Sequence, residues 1–192
     1  MGLIVCLIGT DGSGKSTLAR EVAKRVNGKI VYFGWKPFLP TTKLISWLFK
    51  KRDYKIAESM NKQQKRFSLI QEIMLFYYYI EYLMRYIFQV RFKSGVVVLD
   101  RHFYDMYAHY DYASRSKLFK GLMKIFPSPN FTFFLDVDVL EAKKRKPEMD
   151  VSLLKLHRVR YLKLYELLGL KKIDTSRKIV ECVNSIVGEV ER

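Results

Sequence analysis

Residues 9–16 combine glycines with a lysine at a spacing that could hold phosphate. They read GTDGSGKS and fit the pattern G-x-x-x-x-G-K-[ST]. Glycines let backbone N–H groups turn toward one point, and the start of a helix adds a positive dipole end. The ammonium of Lys15 would reach the β- and γ-phosphates of a triphosphate, and the hydroxyl of Ser16 would bind Mg²⁺.

A glycine-rich turn without a ligand could share this spacing, but here the pattern lies between an apolar run and a helical pattern, as phosphate binding requires. The sequence therefore predicts a nucleoside triphosphate site. Its expected residues are Gly9, Thr10, Asp11, Gly12, Ser13, Gly14, Lys15, Ser16 and Thr17.

A second charged group, Asp100-Arg101-His102, follows the apolar run VVVL at residues 96–99. An aspartate at the end of a buried strand is the second metal-side element of such sites, where its carboxylate holds Mg²⁺ or a water bound to it. Arg101, beside it, would face an anion. An ion pair at a strand end is the alternative, and the phosphate loop expected at the same sheet edge argues against it.

Residues 143–150 form a basic segment, KKRKPEMD, between two helical patterns. Such a segment could fold over a triphosphate and supply positive charge to the transition state. Arg145 is the best candidate, because a planar guanidinium fits phosphate oxygens. The alternative is a basic loop exposed to solvent. We expect a short lid at about residues 143–150.

The elements that must position these residues alternate along the chain. Short apolar runs predict strands at 2–9, 29–35, 95–101, 130–137 and 171–176. Helical spacing predicts helices at 15–27, 41–51, 61–93, 117–126, 138–145, 151–168 and 177–191. Alternating elements, with strands apolar on both faces, predict an α/β fold with a parallel sheet covered on both sides. Since parallel strands end at one edge, the polar motifs would meet there.

The composition limits the class of protein. With 49% hydrophobic and 28% charged residues, the 192-residue chain reads as one globular domain, 1–192, and not as a disordered segment. Cys6 and Cys182 fall in apolar patterns and are expected to be buried thiols, which fits a reducing, cytoplasmic setting. The most apolar long segment, residues 68–90, carries several charged residues, so we expect no membrane insertion.

The formal net charge is +16. A surplus of this size indicates polyanionic partners, such as nucleotides, nucleic acid or a membrane surface, or else a basic surface that only serves solubility. Lysine and arginine are spread from end to end of the chain. Charge alone therefore selects no partner.

Four stretches, in this order, resemble the thymidylate kinase family: GTDGSGKST, VVVLDRH, FFLDVDVLEAKKRK and IDTSRKIVECVNSI. The phosphate loop alone is shared by many P-loop proteins, whereas its combination with DRH and a basic lid is much more specific. The resemblance covers nearly the whole chain. It implies a three-layer P-loop fold of the nucleoside monophosphate kinase type, with a five-stranded parallel sheet flanked by helices, often dimeric.

On the donor side, the resemblance implies that Lys15 and Ser16 bind the triphosphate and that Arg145 acts from the lid. Ser13 stands where some members carry a loop arginine, so here the lid would have to supply that charge. The expected catalytic residues are thus Lys15, Asp100, Arg101 and Arg145. The expected metal ligands are Ser16 and Asp100.

On the acceptor side, the resemblance places Asp100 and Arg101 beside the acceptor phosphate and Asp11 against the acceptor sugar. Phe76 matches a family aromatic residue that stacks on the acceptor base. The family stretch R-E-P-G-G-T, whose arginine grips the acceptor phosphate, is replaced here by GWKPFLP. Lys36 is then the nearby cation.

The chain departs from the family again after DRH, where HFYDMYAHY replaces a serine followed by A-Y-Q. A variant group resembling thymidylate kinases carries D-R-x-x-Y-D, and this chain looks closer to that group. Tyr104 is the tyrosine of this motif and is expected on the acceptor side.

We therefore expect a kinase that transfers the γ-phosphoryl group of ATP, with Mg²⁺, to a nucleoside monophosphate, with dTMP as the first choice and a homodimer as its assembly. Another phosphorylated metabolite is an alternative acceptor. A nucleic-acid-associated P-loop ATPase or regulator is the alternative of another class, which the charge of +16 favours. The chain shows no added nucleic-acid module, so that partner is less favoured.

Overall fold

The computed structural model describes residues 2–34 and 69–192. Its strands are β1 (Leu3–Gly9), β2 (Lys29–Tyr32), β3 (Val96–Asp100), β4 (Phe131–Asp136) and β5 (Lys171–Asp174). Its helices are α1 (Lys15–Arg25), α2 (Leu69–Tyr86), α3 (Asp105–His109), α4 (Asp111–Arg115), α5 (Lys117–Ile125), α6 (Val139–Arg145), α7 (Val151–Leu168) and α8 (Ile179–Val190). A π-helical turn, Ile87–Arg91, continues α2.

The strands form one parallel sheet in the order β2-β3-β1-β4-β5. β1 lies at the centre, where Leu3 is in register with Val96 of β3 and Val5 with Phe131 of β4. Because all five strands run the same way, their carboxyl ends meet at one edge. This edge holds both the loop that follows β1 and Asp100, the last residue of β3. The predicted parallel sheet is confirmed.

Two hydrophobic layers cover the sheet. On one face the buried cluster includes Leu75 of α2, Phe103 of the loop after β3, Phe119 of α5 and Tyr161 of α7. On the other face α1 and α8 supply Leu18, Val22, Cys182 and Ile186. Alternate side chains of a strand point to opposite faces, so the apolar runs of β1, β3 and β4 serve both layers. The predicted three-layer α/β fold is confirmed.

The edge strands β2 and β5 differ from the expectation that each strand is buried on both faces. Val31 is the single buried residue of β2, and β5 has no buried residue. Each pairs with one strand only in the described part of the chain, and Lys29, Lys171 and Lys172 are exposed there. Lysines on an edge strand disfavour pairing with another chain.

The bounds of α1, α5, α6, α7 and α8 lie within two residues of the predicted helices. The short helices α3 and α4, between β3 and α5, are additions that the periodicity did not predict. The predicted helix at 41–51 and the first part of the one at 61–93 lie outside the described residues. Cys6 and Cys182 are buried free thiols, as predicted.

No helix in the described ranges combines the length and the apolar character that crossing a bilayer would require.

Candidate active site

The loop between β1 and α1 is shaped by glycines in the left-handed region. Gly12 has a φ of 82° and Gly14 a φ of 84°. A Cβ on Gly12 would lie 2.5 Å from the carbonyl oxygen of Ala142, because α6 packs directly on the loop, whereas a Cβ on Gly14 would meet nothing within 4 Å. The loop is therefore fixed on its α6 side and open at the start of α1, where an anion would meet the helix dipole.

Lys15 begins α1 and is buried against the loop. Its Nζ donates to the carbonyl oxygens of Gly9 at 2.7 Å and Thr10 at 2.6 Å. Burial, and then the nearby Arg101, lower the pKa of Lys15 to about 8. A triphosphate in the loop would offer this amine a charged partner, and charge-assisted hydrogen bonds are stronger than those to neutral carbonyls.

Ser16 and Asp100 meet at the carboxyl edge of the sheet, although they stand 84 positions apart in the chain. The Ser16 hydroxyl donates to Oδ2 of Asp100 at 2.6 Å. The other carboxylate oxygen, Oδ1, is buried and has no hydrogen-bond partner among the residues described. A hydroxyl beside a partly unsatisfied carboxylate is the hard oxygen donor set that Mg²⁺ prefers. These two residues fit the expected ion.

Arg101 follows Asp100 in a strained conformation, with a φ of 80°. A non-glycine residue in this region costs on the order of 1 kcal/mol. Its backbone N–H donates to the Leu7 carbonyl at 3.1 Å, which fixes the turn to β1. The guanidinium lies between two carboxylates: Nη2 is 2.9 Å from Oδ1 of Asp11, and Nη1 is 4.0 Å from Oδ2 of Asp105.

Asp11 joins the phosphate loop to this arginine. Burial acts to raise the pKa of Asp11, but the charges of Lys15 and Arg101 outweigh burial and lower this pKa to about 2. Lys146, just after α6, places its Nζ 3.8 Å from the same Asp11 oxygen. Asp11 is therefore ionised at neutral pH and surrounded by three cations.

Arg145, the last residue of α6, spans two loops at the site. Its Nη2 donates to the Thr175 carbonyl at 3.0 Å and its Nη1 to the Gly12 carbonyl at 3.5 Å. Its Nε also donates to Glu141 at 3.2 Å. The predicted lid segment thus begins in contact with the phosphate loop, and Arg145 links that loop to the turn after β5.

A buried polar cluster behind Arg101 was not predicted from the sequence. Tyr161 of α7 donates to Oδ1 of Asp105 at 2.8 Å, and its hydroxyl lies 3.2 Å from Nε2 of His109. The His109 ring lies 4.4 Å, centroid to centroid, from that of His157. One signal was present in the sequence: Asp105 stands four positions after Arg101, within a run of aromatic and apolar residues.

Burial changes the protonation of this cluster. It raises the pKa of Asp105 to about 6, although Arg101 and Lys15 oppose the shift. Burial, helped by His157 and Lys15, lowers the pKa of His109 to about 3. Burial also lowers the pKa of His157 to about 4. At neutral pH both histidines are therefore uncharged.

Two other predicted acceptor residues, Phe76 and Tyr104, lie in the described part of the chain. Phe76 lies on α2 with 51% of its surface exposed, its ring stacked 6.3 Å from Tyr79. Tyr104 is buried, and its hydroxyl lies 3.3 Å from that of Ser128, close to the amino end of β4. Lys36 lies outside the described residues.

A parallel sheet in this order, a glycine-rich loop closing on a helix, and a serine–aspartate pair at the same edge define the class of P-loop phosphotransferases. The order of the motifs along the chain agrees with this class.

Comparison with known proteins narrows the class. The sequence model of the family described as "Thymidylate kinase" matches residues 8–186. A protein of Thermococcus gammatolerans named "Probable thymidylate kinase" is 30% identical over 207 aligned positions, which include 100% of this chain and 97% of that protein.

Two similar solved structures are of deoxyadenosine kinase from M. mycoides. The first, with the products dCMP and a flexible dCDP, has a TM-score of 0.61 at 15% identity and covers 98% of this chain and 99% of that one. The second, with bound dATP, has a TM-score of 0.63 at 14% identity and covers 99% and 100%. At these identities the likeness concerns the fold.

The chain belongs to the thymidylate kinase family. It is accordingly a nucleoside monophosphate kinase, and ATP is its phosphate donor.

Proposed function

We propose that this enzyme transfers the γ-phosphoryl group of Mg·ATP to dTMP and so produces dTDP. The observation that carries the proposal is the contact of Arg101 with Asp11 at 2.9 Å, on the same sheet edge as Lys15. This pair offers a guanidinium for the acceptor phosphate and a carboxylate for a sugar hydroxyl, beside the loop for the donor. The name of the Thermococcus relative supports dTMP as the acceptor.

Mg²⁺ would be held by the Ser16 hydroxyl and the Asp100 carboxylate, whose buried Oδ1 has no partner in the described structure. When bound, the ion would neutralise charge on the phosphates. The chain's own residues do the remaining work. Lys15 would leave its two carbonyl partners for the triphosphate, and the backbone N–H groups of the loop would hold the phosphate oxygens.

Phosphoryl transfer needs positioning and charge stabilisation more than covalent help from the protein. Arg101 would hold the acceptor phosphate in line with the donor, and Asp11 would orient the sugar. Arg145 and Lys146, at the lid segment 143–150, would add positive charge beside the loop, since Lys146 lies 3.8 Å from Asp11. We propose no general base.

Three further residues complete the proposed acceptor side. Phe76 would stack on the base, which its half-exposed ring on α2 allows. Lys36 would replace the missing family arginine. Tyr104 would act only indirectly, since it is buried and contacts the His102 ring at 4.1 Å between centroids.

The family resemblance also supports a homodimer as the working assembly. Leu69 and Ile73, one turn apart on α2, are 76% and 60% exposed. Large apolar side chains that lie together on a surface often mark an interface.

The first test is ADP release from Mg·ATP with dTMP, dUMP, UMP, CMP, AMP and GMP offered singly. We expect strong stimulation by dTMP, and we expect Lys15→Ala to lower the rate at least about 100-fold, because one charged contact to the transferred group is lost. Ser176→Ala, a small change in the exposed turn after β5, serves as the matched control and should keep the wild-type rate.

Two results would contradict the proposal. If only another monophosphate stimulated ADP release, that monophosphate and not dTMP would be the acceptor. ATP hydrolysis that rises with DNA or RNA, with no transfer to any monophosphate, would favour the nucleic-acid-associated ATPase.

A further inference from the structure

The direction of the Arg101 side chain is set by two carboxylates on opposite sides. The backbone is fixed, because its N–H donates to Leu7 on β1. The guanidinium is not fixed by the backbone. Asp11 holds one end at 2.9 Å, and Asp105 faces the other at 4.0 Å.

Asp11 contacts other groups besides Arg101. It is shared with Lys146 at 3.8 Å, and in the proposed reaction it also meets the acceptor sugar. A sugar hydroxyl that takes part of the Asp11 carboxylate would weaken its hold on Arg101. Asp105 then becomes the contact that keeps the guanidinium in place while the acceptor is bound.

Asp105 is buried beside Arg101. It is 5% exposed, and its Oδ2 has no hydrogen-bond partner among the described residues. The charge that this oxygen faces is that of Arg101. Its Oδ1 accepts the Tyr161 hydroxyl at 2.8 Å. A buried carboxylate is costly unless it is paired, so this environment favours keeping Arg101 beside it.

Tyr161 is closely packed and belongs to α7, the helix that follows the predicted lid segment. It is fully buried, and its ring stacks on Phe134 of β4 at 5.7 Å with an interplanar angle of 13°. Its single hydroxyl proton goes to Asp105, so the 3.2 Å contact with His109 Nε2 must have the neutral histidine as its donor. The hydroxyl is thereby fixed from two sides.

We propose that Asp105 and Tyr161 are positioning residues, which together hold the guanidinium of Arg101 where it meets the acceptor phosphate. This inference rests on the proposed function, in which Arg101 binds that phosphate. Both carboxylates that flank Arg101 then contact the α6–α7 region, Asp11 through Lys146 and Asp105 through Tyr161.

The experiment compares Asp105→Asn and Tyr161→Phe with Tyr165→Phe in steady-state assays. Tyr165 lies one turn further along α7 and packs on the same Phe134 ring at 6.2 Å, so its variant controls for losing a hydroxyl on this helix. For the first two variants we expect the KM for the acceptor to rise about 10- to 100-fold, as for a lost charge-assisted contact. The KM for ATP should stay within about twofold, since neither variant changes a residue of the donor loop.

A pH profile separates positioning from a merely structural role. The Tyr161 hydroxyl favours the ionised form of Asp105, so removing it raises the pKa of Asp105. The acid limb of kcat/KM for the acceptor should move to higher pH in Tyr161→Phe. In Asp105→Asn the contribution of the Asp105 titration to this limb should disappear. The acceptor phosphate also titrates near pH 6, but its contribution is common to all variants.

Groups from every neighbouring element enter this titration. The charged and titratable residues that interact electrostatically with Asp105, or contact Tyr161 beside it, are Cys6, Lys15, Tyr82, Arg101, His109 and Tyr161. The histidine stays neutral across the pH range measured, from 5 to 9 in about half-unit steps, because its pKa is about 3.

Three outcomes overturn the inference. If the wild type transfers phosphate to no acceptor, the proposed function fails, and this inference fails with it. If the wild type is active and the variants keep the acceptor KM and the acid limb, the inference alone fails. The same holds if the thermal unfolding temperature and the KM for ATP change as much as the KM for the acceptor, because the role is then structural.

Discussion

The two oxygens of the Asp100 carboxylate have different surroundings. Oδ2 accepts the Ser16 hydroxyl at 2.6 Å, while Oδ1 is buried without a partner in the described part of the chain. Natural proteins rarely leave a buried carboxylate oxygen unsatisfied, because desolvation costs about 1–3 kcal/mol or more. A bound cation would satisfy this oxygen, so the structure itself supports a cation site at Asp100, independently of the family resemblance.

At this residue we predict that Asp100→Asn lowers kcat about 100- to 1000-fold and raises the Mg²⁺ concentration needed for half-maximal rate, because an amide is a poorer ligand for a hard cation. The measurement is the rate of ADP release at a series of Mg²⁺ concentrations. Asp136→Asn is the matched control, since Asp136 ends β4 and pairs with Arg158 at 2.7 Å. Equal loss in both variants would contradict a metal role.

The sequence was informative where the chemistry is contiguous. The phosphate loop and the Asp100–Arg101 pair could be predicted, because each depends on a few adjacent residues whose strand ends at the site. The contact between Asp105 and Tyr161 spans 56 positions and arises only from the packing of α7 on α3. No local pattern contains it. The histidines have no metal-ligand spacing, and no local pattern predicts that the rings of His109 and His157 meet.

At the scale of elements, α6 and the phosphate loop form one packed unit. The carbonyl of Ala142 occupies the space beside Gly12, and Arg145 donates to the Gly12 carbonyl. Any change in the direction of α6 must therefore move the loop, or break these contacts. The predicted lid segment, residues 143–150, begins at this junction.

We predict that Gly12→Ala raises the KM for ATP about tenfold and lowers the free energy of unfolding by about 1–3 kcal/mol, through backbone strain and the clash with Ala142. Enzyme kinetics and denaturant unfolding measure the two effects. Gly95→Ala is the control: its φ is also positive, at 78°, but a Cβ there meets nothing within 4 Å. If both variants lose stability equally and keep the KM, α6 does not position the loop.

The ends of helices could be predicted from the sequence where capping residues mark them. Asp138 and Asp150 precede α6 and α7 and accept from Leu140 and Leu153 in the first turn, and Gly169 ends α7 in the left-handed region. The short helices α3 and α4 have five residues each, too few to show a period. In the structure α3 packs against α7, a contact between segments far apart in the sequence.

Across the whole molecule, buried neutral histidines make stability depend on pH. Burial lowers the pKa of His102 to about 3, and the pKa values of His109 and His157 to about 3 and 4. The unfolded chain binds protons to these rings from about pH 6.5 downward, and the folded chain does not. Their contribution to stability is therefore present at neutral pH and lost as the pH falls. Asp105 opposes this loss, because its pKa is raised.

We predict that the thermal unfolding temperature falls between pH 7 and pH 5, and that His102→Phe reduces this fall. At pH 5 one such histidine costs up to about 2 kcal/mol relative to neutral pH. Its ring lies in an aromatic setting, 5.3 Å from Phe126 and 5.9 Å from Phe33, so phenylalanine suits the site. Calorimetry at both pH values measures the difference, and an equal fall in wild type and variant would contradict it.

The order of the strands also affects how the chain is made. β1 pairs with β3 and β4, which are made later. Leu3 can pair only after Val96 has been made, and Val5 can pair with β4 only after Phe131 has been made. At a synthesis rate of about 5–20 residues per second, roughly 5 to 20 s pass before the first partner strand is made. During that time neither of the strands that flank the uncharged segment LIVCLIG in the described sheet has been made. The central strand of this sheet is therefore the segment that a nascent-chain chaperone would need to shield first.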